Sequence, residues 1–237
     1  MKKGDRGGFD HFLKMTTKTK TIWILGAGRF GQIAIERLHR KQPSAMLTVV
    51  DRHIHFPSAL AAQGINWINA DAITFLVENL QPEKGKGPDW IVPAVPLHVA
   101  FEWICRRFES RFNVEKVNLP DFITDHLPNI IEGGPGTLYT SVADFICPDD
   151  CPEPAQICTH TGQPRSCTLY RELENFQQPG WKIVVVRSRQ LLPGVGGYRP
   201  EALFQVLQMV ESAGTPILLA TACRCHGVVD AFQLHQA

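Results

Sequence analysis

A glycine-rich turn between an apolar run and a helical pattern constrains this chain more than any other feature. Ile22-Trp23-Ile24-Leu25 runs straight into Gly26-Ala27-Gly28-Arg29-Phe30-Gly31. An unbroken apolar run reads as a strand buried on both faces of a parallel sheet. The glycines have separate tasks: the first allows a tight turn, the second lets a diphosphate approach the backbone, and the third packs the helix closely on the strand. N–H groups at the start of that helix then face the phosphates, with the helix dipole adding to the attraction. A second apolar run, Leu47-Thr48-Val49-Val50, ends in Asp51, at the distance from the glycines where a carboxylate binds a ribose 2′-hydroxyl. The pattern predicts a bound dinucleotide, NAD(H) in preference to NADP(H), because the carboxylate repels a 2′-phosphate. Arg52 works against that preference, since a neighbouring cation tolerates the extra phosphate.

Strand and helix signals alternate beyond this point. Phe30, Ile33, Ala34 and Leu38 give one helical face, and Ile65-Asn66-Trp67-Ile68 reads as a third strand. A short helix is expected from Ser58 to Gln63. Ile73, Leu76, Val77 and Leu80 predict a helix over 72–80, and Asp89-Trp90-Ile91-Val92 a fourth strand that runs into Pro93. Leu97, Phe101, Ile104 and Phe108 mark another helix, and Glu115 to Asn118 a fifth strand. The order predicts an α/β fold, a Rossmann-like doubly wound and mainly parallel sheet over 21–118, preceded by a disordered basic segment, 1–20. From about Asn118 proline and glycine become frequent. Residues 119–237 read as an irregular Cys-rich insertion followed by a strand–helix–strand unit (182–187, 200–212, 216–220) that extends the first sheet.

Asn69-Ala70-Asp71-Ala72 follows the third strand. Together with the I-L-G-A-G-R-F-G opening and the acid ending strand two, the run from Ile22 to Asp71 resembles the nucleotide-binding domain of bacterial potassium-transport regulators, the TrkA-N or RCK type. The resemblance implies a nucleotide-responsive regulatory protein and places Asp71 beside the adenosine. A plain helix N-cap is the other reading of Asp71. An NAD-dependent oxidoreductase is the alternative function, with a small substrate near Pro93 and with His98 as a proton donor.

The chain has seven cysteines and a formal net charge of +1, and Met1 to Lys20 lacks the apolar core of a signal peptide. The charge gives no electrostatic case for a nucleic-acid partner, and no stretch is long and apolar enough to span a bilayer. A cytoplasmic protein is expected, a homo-oligomer with a further protein or a small substrate as partner. Clustered intracellular cysteines point to metal or redox chemistry rather than disulfides. Cys147, Cys151 and Cys158 on one loop, with Cys223 and Cys225 on another, are the candidate ligands of zinc or an iron–sulfur cluster. Cys147 and Cys151 are each followed by proline, which precludes regular helix there.

Overall fold

The computed structural model describes residues 19–53 and 64–236. Most of the basic N-terminal segment and the helix expected from Ser58 to Gln63 lie outside the described residues. The first apolar run forms β1 (Thr21–Leu25) and the glycine turn leads into α1 (Arg29–Lys41). β2 (Met46–Asp51) and β3 (Asn66–Asn69) follow, then α2 (Ala72–Asn79) and β4 (Trp90–Pro93). These four strands are parallel and lie in the order β3-β2-β1-β4. β1 is buried on both faces, with Ile22 and Ile24 facing α1 and Leu25 facing the opposite side.

α3 (Val99–Phe108) and β5 (Phe112–Lys116) come next, then the short α4 (Asp121–Thr124), β6 (Ile131–Gly134) and β7 (Thr137–Ser141). After a long irregular stretch, α5 (Leu169–Asn175) leads to β8 (Lys182–Arg187), the hairpin β9 (Arg189–Leu192) and β10 (Val195–Gly197), and α6 (Pro200–Glu211). The described residues close with β11 (Ile217–Ala222) and the long β12 (His226–Gln236). The second sheet is mixed, in the order β6-β7-β12-β11-β8. β12 pairs along its first half with β7 and along its last half with β5.

The unit β8–α6–β11 therefore does not extend the first sheet, as its sequence suggests, but builds the second. β5 also belongs there, and it begins and ends earlier than the expected strand at 115–118. The reason lies in β12, which supplies the neighbours that a two-stranded lobe would lack. α2, α3 and α6 form a shared layer between the sheets. One core joins Leu25, Val50 and Ile91 of the first sheet to Val184, Val186, Leu219 and Phe232 of the second. α3 is buried nearly all round, which a helix between two sheets must be. α1 covers the outer face of the first sheet, and α4 with α5 the outer face of the second. The whole is an α/β architecture with one parallel and one mixed sheet, and no helix among the described residues is long and apolar enough to cross a membrane.

Candidate functional site

The glycine turn sits at the C-terminal ends of β1 and β4. Gly26 adopts φ +103, and a Cβ there would lie 2.7 Å from the Ala94 carbonyl oxygen in the turn after Pro93. At Gly31 a Cβ would lie 2.0 Å from the Gly26 carbonyl oxygen, so both positions are closed to any side chain by the protein's own backbone. Gly28 is different. Its φ of −68 suits any residue, and a Cβ there meets nothing within 4 Å. It is the N-cap of α1, yet no side chain caps that helix and its first turn holds no acid. The first-turn N–H groups, which no helix satisfies internally, thus meet no capping side chain among the described residues.

Asp51, at the end of β2, closes this corner. The Ala27 N–H donates to its Oδ2 at 2.6 Å and the His53 N–H to its Oδ1 at 2.7 Å, leaving further lone pairs on both oxygens. Arg52 is drawn away from Asp51 into an ion pair with Asp71, 2.8 Å long. Asp71 is the N-cap of α2, accepting from the Thr74 N–H at 2.9 Å and the Thr74 hydroxyl at 3.0 Å. Burial acts to raise its pKa, but the Thr74 hydrogen bonds and the Arg52 charge outweigh it and hold the carboxyl below its ordinary value. Of the two readings of Asp71, the helix cap is the one the geometry displays.

Phe30 leaves the helical face expected of it. The buried positions of α1 are Gly31, Ala34, Ile35 and Leu38, whereas Phe30 is 58% exposed. It lines, with Arg29, a cavity of about 430 Å³ whose other walls include Cys147, Cys151, Cys223, Cys225, His226 and Arg165. Gly26, Gly28 and Asp51 do not line this cavity; it lies beside the glycine turn. The loop carrying Cys147 and Cys151 is tied down from both sides. Arg29 pairs with Asp149 at 2.5 Å, Arg37 donates to the Asp149 carbonyl at 2.9 Å, and Gln190 donates to the Cys151 carbonyl at 2.6 Å.

Two loops far apart in sequence thus bring four of the five expected metal ligands to one cavity, and Cys158 is close enough for its charge to act on Cys147. As they stand, no three Cys, His, Asp or Glu side chains among the described residues converge closely enough to hold a metal ion. Burial raises the Cys147 and Cys223 thiols and pushes Cys225 up to about 11, against the opposing pull of Arg165. Arg165 is the functional candidate that sequence reading missed, since nothing in its context separates it from a solvated loop cation. Its Nη1 donates to Cys225 Sγ, while its buried Nε has no hydrogen-bond partner.

His98, expected as a proton donor, is buried and fully engaged. Its Nδ1 meets Asp230 Oδ2 at 2.6 Å and its Nε2 meets Thr221 Oγ1 at 2.8 Å. Lys116 Nζ and the Thr137 hydroxyl reach the other Asp230 oxygen at 2.7 Å and 2.6 Å. Burial would raise Asp230, but His98 foremost, then Lys116 and Thr137, bring it below the ordinary carboxylate value. This network clasps the start of α3 to the centre of the second sheet, and leaves the imidazole no free nitrogen. The Val228-Val229-Asp230-Ala231-Phe232 pattern, an acid inside an apolar run, is the signal that could have revealed it.

Comparison with known proteins adds the relationship. Residues 100–235 match the family AF_1314_C, described as "Uncharacterized protein, C-terminal domain". The chain belongs to this family. The matched stretch runs from α3 to β12 and contains every cysteine of the cavity. A protein of Archaeoglobus fulgidus, named "Uncharacterized protein", is 30% identical over 223 residues, covering 89% of this chain and 98% of its own length. No solved structure matches. The resemblance to TrkA-N and RCK domains does not hold: no such domain is matched, and the family found covers residues 100–235, outside the stretch from Ile22 to Asp71 that carried it. The opening glycine motif and the acid ending strand two are shared by many nucleotide-binding sheets, so they do not single out one family.

Proposed function

We propose that this protein binds NAD(H) across the C-terminal ends of β1 and β4, in a Rossmann-like half of the fold. The strand order β3-β2-β1-β4 supports the reading, because α1 after β1 and α3 after β4 pack on opposite faces of the sheet. The crevice at such a reversal is where open α/β sheets take nucleotides. The observation that carries the proposal is Gly28. The fold needs glycine at 26 and 31, where a Cβ would strike backbone, but nothing among the described residues needs it at 28. A diphosphate held against the N-terminus of α1 gives the missing reason. Asp51 then holds the adenosine ribose, and Arg52, engaged by Asp71, is not free to welcome a 2′-phosphate.

A second reading, an NAD-dependent oxidoreductase acting on a small substrate, is favoured by one fact. Arg29 and Phe30, between the second and third glycines, form a wall of a cavity of about 430 Å³, a size suited to small ligands. Calorimetric titration with NAD+, NADH and NADP+ tests the main proposal. NADH should bind with at least about ten-fold higher affinity than the phosphorylated form, a difference of about 1.4 kcal/mol. No heat from any of the three at millimolar ligand refutes it. Consumption of NADH with a carbonyl compound, followed by absorbance, separates the enzyme from a binding protein.

A further inference from the structure

The cysteine-lined cavity asks for an occupant that neither the fold nor a dinucleotide explains. Phe145 to Cys167 crosses the surface with no helix or strand of its own, only an isolated pairing of Ile157 with Pro164. Loops of this length without secondary structure are generally organised by a ligand or a function. The opposite wall is rigid. Cys223 and Cys225 lie in the turn joining the central strands β11 and β12, and the Cys223 N–H is fixed to the His226 carbonyl at 2.9 Å.

Two features of these walls suit sulfurs engaged by a bound centre. The Cys225 and His226 N–H groups both aim at Cys223 Sγ, at 3.4 Å and 3.3 Å. A neutral thiol is a weak acceptor that makes little of two converging donors, whereas hydrogen bonds to sulfur are a standard feature around ligated cysteines. Arg165 supplies the second. Its buried Nε donor has no partner among the described residues, and the two carboxylates of the cavity are engaged elsewhere, Asp149 by Arg29 and Glu153 by the Arg224 N–H. An anionic group among the cysteines gives it both a counter-charge and an acceptor.

The size of the space between the sulfurs then selects among thiolate-bound centres. A single zinc ion needs four donors about 2.3 Å from one point, so its ligands must converge closely. Four of the described thiols instead line an open space of about 430 Å³, far more than one ion fills. A polynuclear cluster spreads its metal atoms toward separated thiolates and fills such a space. We propose that this cavity is an iron–sulfur cluster site, with ligands from Cys147 and Cys151 on one wall and Cys223 and Cys225 on the other. Each ligating thiol gives up its proton and binds iron as thiolate. Arg165 balances the charge of the centre, and Phe30 and the exposed Ile146 shield its mouth.

The full chain, purified without oxygen and reconstituted with iron and sulfide under thiol reductant, is the test material. No nucleotide is added, so the result is independent of whether NAD(H) binds. The expected product is brown, carries about four iron and four sulfide per chain, and loses its broad visible absorption on reduction with dithionite. Loading should also protect Cys147 and Cys151 from iodoacetamide, as read by mass spectrometry. The paired change Cys147→Ser with Cys225→Ser should remove most of the iron, whereas Cys105→Ser, on α3 outside the cavity, should leave it. A colourless, iron-free wild-type protein overturns the proposal whether or not the variants fold. So do uptake of a single zinc in place of iron, undiminished alkylation of Cys147 and Cys151 in the loaded protein, and a complete cluster in the double variant.

Discussion

Replacing each of two glycines of one turn by alanine separates what the fold demands from what a ligand demands. Gly31→Ala places a methyl group 2.0 Å from the Gly26 carbonyl oxygen, a backbone atom pinned by the Gly26 N–H bond to Val50 at 2.8 Å. The turn cannot yield without shifting α1 off β1. Overpacking of this kind costs about 3 kcal/mol or more. For a chain of this length that is a fall in melting temperature of about 6–12 °C. Gly28→Ala meets no atom within 4 Å and keeps an allowed φ of −68. Alanine loses some N-cap preference relative to glycine, about 1 kcal/mol at most. It also restricts the unfolded chain, which returns about 0.4–1 kcal/mol. The net effect on stability is within about 1 kcal/mol of zero. Affinity for NADH should nonetheless fall by about ten-fold or more, because the new methyl occupies the space of the diphosphate. Urea unfolding and calorimetric titration of both variants give the two numbers side by side. Wild-type NADH affinity in a folded Gly28→Ala variant would refute the assignment of that glycine to a ligand.

Further outcomes follow from the same geometry. Asp51→Asn keeps an acceptor for the Ala27 N–H but removes the charge, so NADH should bind about ten-fold more weakly while NADP+ loses less; equal losses for both would detach Asp51 from the ribose. Asp230→Asn leaves Lys116 without its counter-charge and His98 Nδ1 without its carboxylate partner, and should cost about 3–5 kcal/mol in urea unfolding. The acid limb of stability has a definite sign: Asp230 lies below its ordinary 3.8 in the folded state, so its contribution is complete above that value. It fades as pH falls through the lower folded-state value, and the Asn variant should show a shallower acid loss. Cys105, pushed up to about 12 by burial and then by Glu102 and Asp230, should resist iodoacetamide in native protein at neutral pH and react only on unfolding. Rapid native labelling there, seen by mass spectrometry, would contradict a thiol held in its protonated form.

The first sheet was legible because its signals are local. Continuous apolar strands, glycines at the turn and alternating helices can be read within short windows, and β1, β2, β3 and β4 all lie where those windows place them. The second sheet depends on pairings distant in sequence. β12 contains Asp230 at its centre, and a buried acid argues against a strand until Lys116, Thr137 and His98 are brought around it. β6 ends in two glycines and carries little strand preference, and β7, though rich in Thr and Tyr, is only five residues long. The candidate site divides in the same way. The glycine turn and Asp51 were evident from spacing, and the cysteines were evident as residue types, but their meeting at one cavity was not. That meeting depends on β11 and β12 turning back toward α1, and no local pattern records it. Phe30 was misplaced for a related reason: its helical spacing fits the core, while the neighbouring loop gives its ring somewhere else to lie.

The single guanidinium of Arg37 holds the carbonyls of both Asp149 and Pro193. It bolts the barrel of α1 to two separate pieces of chain, while Arg29 at the muzzle grips the Asp149 carboxylate. Whatever settles against the mouth of that helix therefore sits one short link from the cysteine-bearing strap, through the side chain of Arg29.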